Sequence, residues 1–201
     1  MNPARDSFEA LYRAFSALHG TEPALQAFCP LDPTPERLDV EPHHIPAADL
    51  MQADTGLFTD RYAELRDAFL AASPHAHWRE TYKGTRLEGD FLERFGCYCL
   101  IGDGGAFHSE RIAAYMVYMP AGLYYPFHHH PAEEMYFILA GEAEFMLEGE
   151  APKTLGPGDH VFHPSSRTHA TETHDHPMMA LVLWRGEMGV KPVLTYPEGS
   201  R

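Results

Sequence analysis

The first third of the chain places its apolar residues at the spacing of amphipathic helices. Residues 6–19 carry one apolar stripe, and Asp6 and Glu9 form a candidate capping pair at its start. Residues 59–72 repeat the helical pattern, and a proline two positions later closes it. Between these segments lies a proline-rich connection in which Leu25–Phe28 has a short helical pattern. The sequence therefore predicts a helical N-terminal region.

From about residue 80 the pattern changes to short apolar runs separated by turn residues, at a spacing typical of a sandwich or barrel. The predicted strands are Tyr82–Leu87, Phe95–Ile101, Arg111–Met119, Tyr124–His128, Met135–Leu139, Glu142–Leu147, His160–His163, His169–Thr173, Met178–Trp184 and Val190–Thr195. We therefore expect a mainly β protein, with a small barrel over residues 81–201 and a helical region over residues 1–80 that packs on it.

One stretch of the predicted barrel combines strand-like residues with metal-binding chemistry. His128 and His130 are two positions apart, so an extended strand places both on one face. Glu134 opens the next apolar run, which can fold back and bring its carboxylate to the imidazoles. His169, further along the chain, can supply another imidazole. Two or three imidazoles with a carboxylate suit a first-row divalent metal that keeps an open position for substrate.

These residues resemble the two-part signature of the cupins. The first part is complete and consists of Gly122, His128, His130, Glu134 and Gly141. In the second part Gly158, Pro164 and His169 are kept, whereas Ser166 and Thr173 stand where the family usually has Gly and Asn. The resemblance implies a double-sheet jelly-roll barrel with a ligand in its interior. Members of this fold differ in whether the first histidine binds the metal directly, so the role of His128 stays open.

Aromatic residues near the motif are candidate contacts for a substrate. Tyr136 lies two positions after Glu134 and so shares its inward face; beside a divalent cation its phenolate can act as a base. The alternative is a core tyrosine hydrogen-bonded to the barrel wall. Tyr124 and Tyr125 occupy opposite faces of their strand, so one of them points inward. Trp184 ends a strand that can line the cavity, and aromatic faces bind onium cations. Further candidates are Tyr82, Tyr115 and Tyr118.

The helical N-terminal portion, the segment HHHPAEEMYFILAGEAEF and the segment PSSRTHATETHDHPMMALVLWRG resemble the Q-type dimethylsulfoniopropionate lyases of marine bacteria. The resemblance covers essentially the whole chain. It implies a carbon–sulfur lyase that cleaves dimethylsulfoniopropionate by β-elimination to dimethyl sulfide and acrylate. It also implies one divalent metal ion, with zinc or iron favoured over manganese, cobalt or nickel.

Residue by residue, the same resemblance predicts the roles of the site. It places the metal on His130, Glu134, Tyr136 and His169, with His128 close by. It makes Tyr136 the general base and Tyr125 its supporting tyrosine. The predicted substrate contacts are Trp184, Tyr124, Tyr82 and His128.

The charged residues of the chain limit the kinds of partner that it can bind. The chain carries 15 Lys and Arg against 29 Asp and Glu, a net charge of −14, which disfavours binding to nucleic acid and to anionic membranes. No apolar run approaches the ~18 residues of a membrane helix, and the N-terminus lacks the apolar centre of a signal peptide. We therefore expect a cytoplasmic monomer or homodimer. Cys29, Cys97 and Cys99 contain no C-x-x-C pair and are expected to be buried, reduced thiols.

Two other classes of function remain open, because fold alone does not fix function. A different metal cupin enzyme, such as an iron-dependent dioxygenase or an isomerase, uses the same ligands. A non-enzymatic cupin that binds a small ligand usually has an attached DNA-binding or signalling module, and the N-terminal region has too few basic residues for one.

Overall fold

The computed structural model describes residues 2–87 and 89–195. Residue 88 and residues 196–201 of the predicted barrel region lie outside them. The helices are Pro3–Thr21 (α1), Pro23–Phe28 (α2), Pro46–Ala53 (α3), Ala63–Ala72 (α4) and Asp90–Arg94 (α5), with a 3-10 turn at Ser73–His75. None of the described helices combines the length and the apolar character needed to cross a membrane.

Ten strands form two antiparallel sheets in the described part of the chain. They are Gly96–Ile101 (β1), Ile112–Met119 (β2), Tyr124–His129 (β3), Glu133–Gly141 (β4), Ala143–Leu147 (β5), Lys153–Leu155 (β6), His160–His163 (β7), His169–Glu172 (β8), Met178–Arg185 (β9) and Val193–Leu194 (β10). The first sheet has the order β1-β2-β9-β4-β7, and the second has the order β10-β3-β8-β5-β6. The predicted mainly β barrel with N-terminal helices is confirmed.

The first sheet is covered on both faces, and this explains its continuous apolar sequence. In β4, Met135, Phe137 and Leu139 pack into one core together with the helices. Tyr136 and Ile138 point to the opposite face and pack into a second core, which the second sheet shares. A strand that is buried on both sides has no polar face and therefore reads as an unbroken hydrophobic run.

The helical pattern predicted two of the helices well. Residues 6–19 lie inside α1, and most of residues 59–72 form α4. The sequence pattern did not predict α3, α5 and β6, which are short elements. The predicted strand Tyr82–Leu87 is wrong, because the chain turns on itself there. The amide of Lys83 donates to the Glu80 carbonyl at 3.2 Å, and that of Thr85 donates to the Tyr82 carbonyl at 3.0 Å.

Two turns of the cupin motif require a left-handed backbone. Gly141 has φ 69°, and a Cβ atom there would lie 1.7 Å from the Pro177 carbonyl oxygen, so only glycine fits. Ser166 has φ 59° and is the only non-glycine residue with positive φ in the described part of the chain. Its amide donates a hydrogen bond to the His130 carbonyl at 2.8 Å. The turn is therefore formed with serine in the place of the usual glycine.

Candidate metal centre and active site

A cavity of about 490 Å³ leads from the surface to the candidate metal ligands in the barrel interior. Its inner wall includes Glu134, Tyr136 and Trp184. Its lining also includes residues 102–104 and 188–192, and exposed side chains such as Leu38 and Val190 mark its opening. A space of this size, with apolar walls and a few polar groups at its inner end, is typical of a small-molecule site.

Glu134 is the centre of a row of three inward-facing side chains on the first sheet. It pairs across the sheet with His163 on β7 and with Trp184 on β9. The Trp184 indole Nε1–H donates to Glu134 Oε1 at 2.6 Å. The His163 imidazole Nδ1 lies 2.7 Å from Glu134 Oε2. All three side chains are buried. Because the strand register places one partner on each side of Glu134, each carboxylate oxygen has its own neighbour and the orientation of the carboxylate is fixed.

The second sheet supplies the facing histidines. His128 on β3 is directly opposite His169 on β8, and their ring centroids are 4.2 Å apart. The β3–β8 register shifts between Tyr125 and His128, so these two residues face inward together although they are three positions apart. The rings of Tyr125 and His128 stack with their centroids 4.0 Å apart. His130 follows directly after β3, and its ring stacks on Trp184 at 4.2 Å.

Backbone hydrogen bonds set the orientation of the three histidines. The Nδ1 atoms of His128, His130 and His169 lie 2.9, 3.0 and 2.8 Å from the carbonyl oxygens of Pro126, Ala132 and Arg167. A carbonyl oxygen only accepts, so Nδ1 carries a proton in each ring, and Nε2 presents a lone pair when the ring is neutral. This is the state in which an imidazole binds a metal, and the ligand atoms of the three rings all lie within 4.8 Å of one another.

The donor atoms have the spacing of metal ligands. His130 Nε2 and His169 Nε2 lie 3.5 and 3.2 Å from Glu134 Oε2. Both nitrogens are buried and have no hydrogen-bond partner among the described residues. Tetrahedral bonds of ~2.0–2.1 Å place neighbouring ligand atoms ~3.3 Å apart. His130, Glu134 and His169 therefore fit a divalent cation, and a cation would satisfy the orphaned nitrogens.

Burial and mutual charge shift the pKa values of these groups. Burial raises the pKa of the Glu134 carboxyl, but the imidazoles of His130, His163 and His169 outweigh it and hold that pKa well below its usual range. Burial, reinforced by His169, keeps the pKa of His128 well below the ordinary value. The same two causes lower the pKa of His163 to about 4. Burial also acts to lower the pKa of His130, but there the neighbouring Glu134 carboxylate outweighs it and raises that pKa. The Glu134 carboxylate is therefore ionised, and His128 and His163 are held neutral beside it, a charge distribution suited to a cation.

The predicted tyrosines differ in their placement. The Tyr136 phenol borders the cavity and packs into the core that the two sheets share. Burial, and then the Glu134 charge, raise the pKa of Tyr136 well above its ordinary value. Tyr125 also borders the cavity, and its hydroxyl is 2.5 Å from that of Tyr82, which lies behind it. The prediction of Tyr124 as a substrate contact is wrong, because Tyr124 lies on the outer face of β3 and is 42% exposed.

Three further residues of the site were not singled out by the sequence reading. His163 is fully buried beside Glu134, but the sequence reading took it only as the end of a strand. Arg79 is a charged residue of the cavity wall; it donates to the Asp103 carbonyl at 3.0 Å and lies over the Tyr115 ring. Cys97 also lines the cavity; the expectation that it is buried is wrong, because it is only half-buried, unlike Cys29 and Cys99.

The two-sheet barrel and its buried histidine–glutamate cluster define a cupin that has the residues of a metal centre. Residues 20–180 match the sequence profile of the dimethylsulfoniopropionate lyase family. The chain belongs to this lyase family.

Similar proteins extend this assignment to the whole chain. The chain is 60% identical over 200 residues, the full length of both proteins, to the dimethylsulfoniopropionate lyase DddQ of Ruegeria pomeroyi. The crystal structure of DddQ from Ruegeria pomeroyi DSS-3 superposes with a TM-score of 0.95, covering 97% of this chain and 99% of that one. A crystal structure from work on the DMSP lyases RdDddP and RnDddQII has 34% identity and a TM-score of 0.91, covering 96% and 100%.

Proposed function

We propose that the protein cleaves dimethylsulfoniopropionate to dimethyl sulfide and acrylate by a metal-dependent β-elimination. The observation that carries the proposal is the convergence of His130 Nε2, His169 Nε2 and Glu134 Oε2 at ligand spacing, on the inner wall of the cavity. Tyr136 borders the same space and is proposed as a fourth ligand and as the general base. Full-length similarity to a protein named as this lyase supports the substrate.

The chemistry follows from the side chains around the cluster. When bound, a divalent ion supplies Lewis acidity toward the substrate carboxylate and favours the ionised form of the neighbouring phenol. Tyr136 Oη then takes the proton from the carbon next to the carboxylate. The electron pair of that C–H bond forms the double bond of acrylate, and the C–S bond breaks to release neutral dimethyl sulfide. We propose zinc or iron as the ion, with manganese, cobalt and nickel as alternatives.

The cationic sulfur of the substrate needs a surface that stabilises positive charge. Trp184 and Tyr115 form an edge-to-face pair on the cavity wall, with ring centroids 5.5 Å apart. Aromatic faces attract onium cations through their quadrupole. We therefore propose that the sulfonium lies against Trp184 while the carboxylate faces the cluster. His128 stacks on Tyr125, and together these two residues of β3 form part of the wall that the second sheet contributes to the site.

The remaining features of the proposed enzyme concern its setting. We propose a cytoplasmic enzyme, active as a monomer or homodimer, without nucleic-acid or membrane partners. The net charge of −14 supports this proposal, since a strongly acidic surface repels polyanions and anionic lipids.

The proposed activity is tested by measuring dimethyl sulfide in the headspace by gas chromatography. Protein stripped with a chelator is reloaded separately with zinc, iron, manganese, cobalt or nickel and mixed with dimethylsulfoniopropionate. We expect metal-dependent release of dimethyl sulfide with equimolar acrylate, and no release from His130→Ala. If none of the loaded forms releases dimethyl sulfide, the substrate is wrong. Oxygen consumption with thiol or catechol substrates then tests the dioxygenase alternative.

The supporting role proposed for Tyr125 makes a separate prediction. Its hydroxyl is paired with that of Tyr82 at 2.5 Å, so Tyr125→Phe removes both the group in the cavity and its hydrogen bond. If the Tyr125 hydroxyl supports the reacting groups through one hydrogen bond made in the transition state, we expect kcat to fall by about 5-fold, the equivalent of about 1 kcal/mol. Tyr82→Phe is the matched variant, because it removes the same hydrogen bond and leaves the Tyr125 hydroxyl in place. Equal losses in the two variants would assign the effect to the hydrogen bond alone.

A further inference from the structure

His163 has no role in the elimination proposed above, yet it is one of the most deeply buried polar residues of the barrel. Its side chain is 0% exposed, and its ring stacks on His169 with centroids 4.0 Å apart. Nδ1 contacts Glu134 Oε2, whereas Nε2 is buried and has no hydrogen-bond partner among the described residues. Burying an imidazole whose Nε2 has no partner costs free energy. The presence of a histidine at this position therefore needs an explanation, and its contact to Glu134 provides one.

The chemistry of the two groups fixes the direction of this contact. An ionised carboxylate only accepts hydrogen bonds, so the proton lies on His163 Nδ1 and is donated to Glu134 Oε2. The distance of 2.7 Å is that of a charge-assisted hydrogen bond. It is clearly shorter than the 3.2 and 3.5 Å that separate the same oxygen from the His169 and His130 nitrogens. His163 Nδ1 therefore binds the carboxylate, whereas the other two nitrogens have the spacing of ligands that share one ion.

We infer that His163 is a positioning residue that holds Glu134 in the orientation needed to bind the metal. The inference rests on the metal site proposed above and goes beyond it. His163 and Trp184 flank Glu134 on neighbouring strands, and each donates one N–H to a different carboxylate oxygen. Rotation of the carboxylate would break both bonds. The remaining lone pair on Oε2 is thereby directed toward His130 and His169, and ligand orientation is prepared before an ion arrives.

Three substitutions of His163 separate positioning from direct ligation. In His163→Asn the amide nitrogen takes the place of Nδ1, so the donor to Glu134 is kept. In His163→Gln the amide group reaches the place of Nε2, so a potential ligand is kept and the donor is lost. In His163→Leu both functions are lost in a side chain of comparable volume. Zinc affinity of chelator-stripped protein is measured by competition with a chromogenic chelator, and metal content is measured by elemental analysis.

We expect His163→Leu to bind zinc about 10- to 100-fold more weakly than the unmodified protein, as for other partners of metal ligands. We expect His163→Asn to stay within about 3-fold, because its N–H donates from the same place. His163→Gln should resemble His163→Leu. The melting temperature of each stripped variant establishes that it is folded, and the asparagine variant gives a decisive reading even if the leucine variant fails to fold.

Several outcomes would overturn the inference. Rescue by glutamine and not by asparagine would make His163 a direct ligand through Nε2. Zinc affinity unchanged in all three variants would leave His163 without a role at the site. Nitrogen-15 NMR of the stripped, unmodified protein provides an independent reading, since a proton on Nε2 of His163 would contradict the donated hydrogen bond. If the unmodified protein itself fails to bind zinc or any other tested ion, the proposed metal site is wrong.

Discussion

Tyr136→Phe is expected to lower kcat for dimethylsulfoniopropionate by about 10²- to 10⁴-fold, the usual contribution of a positioned general base. The substitution removes one oxygen atom from a ring that is packed against Phe145 at 5.3 Å and His163 at 5.6 Å. The ring also packs into the apolar core that the two sheets share, and this packing does not depend on the hydroxyl. The barrel should therefore keep its melting temperature within a few degrees.

The experiment pairs this variant with Tyr118→Phe. Tyr118 is also a buried tyrosine of the first sheet, but it belongs to the core shared with the helices and donates to Asp54 at 2.7 Å. Headspace chromatography gives the rate, and elemental analysis shows whether zinc or iron is retained. We expect a large loss of rate in Tyr136→Phe and a normal rate in Tyr118→Phe. Near-normal turnover by metal-loaded Tyr136→Phe would remove Tyr136 as the base.

Local sequence predicted that the candidate ligands on one hairpin lie close together. His128, His130 and Glu134 fall within seven residues, and a strand, a turn and a second strand bring them together in almost any antiparallel arrangement. His169 was reached through the resemblance to the second cupin motif. The structure places it directly opposite His128. Spacing within a short segment therefore carried most of the information about this part of the site.

The partners of Glu134 could not be predicted in the same way, because they depend on a register between distant strands. His163 and Trp184 are 29 and 50 residues from Glu134 along the chain. Both lie beside it only because β4 pairs with β7 and β9 in the first sheet. Strand alternation places Val161 and His163 on the same face of β7, but alternation alone does not show which face of a strand points inward.

The sequence alone left open which of Tyr124 and Tyr125 points inward, and a local irregularity of β3 decides it. Strict alternation from His128 back through Pro126 predicts Tyr124 on the inner face. The register shift between Tyr125 and His128 reverses that assignment for the residues that precede it. Tyr125 therefore faces the cavity and Tyr124 faces solvent. A one-residue irregularity exchanges the two faces of a strand. Pro126 is a residue typical of such bulges because it cannot donate to the ladder, but proline also occurs on edge strands and so does not specify a bulge by itself.

Glu134→Gln is expected to abolish metal-dependent activity by weakening metal binding. Four-ligand zinc sites bind with about 10–16 kcal/mol, so losing one charged ligand is expected to cost a few kcal/mol, roughly 10²- to 10³-fold in affinity. The stripped variant should remain folded. Glutamine can still accept from Trp184 through its oxygen, and it can donate its amide to His163 Nδ1 if that imidazole changes tautomer. The change therefore removes the anionic ligand without leaving either neighbour unpaired.

Glu133→Gln is the matched control, because it removes the same charge from the adjacent position of the same strand. Glu133 pairs with Arg185 at 2.7 Å in a partly exposed ion pair, which contributes only about 0–1 kcal/mol. Thermal unfolding with and without zinc should show a zinc-dependent rise in melting temperature for the unmodified protein and for Glu133→Gln. Glu134→Gln should show little or no rise and release no dimethyl sulfide. If Glu134→Gln instead binds zinc as tightly as Glu133→Gln does, the ion does not depend on this carboxylate, and the histidines and Tyr136 would have to hold the metal without it.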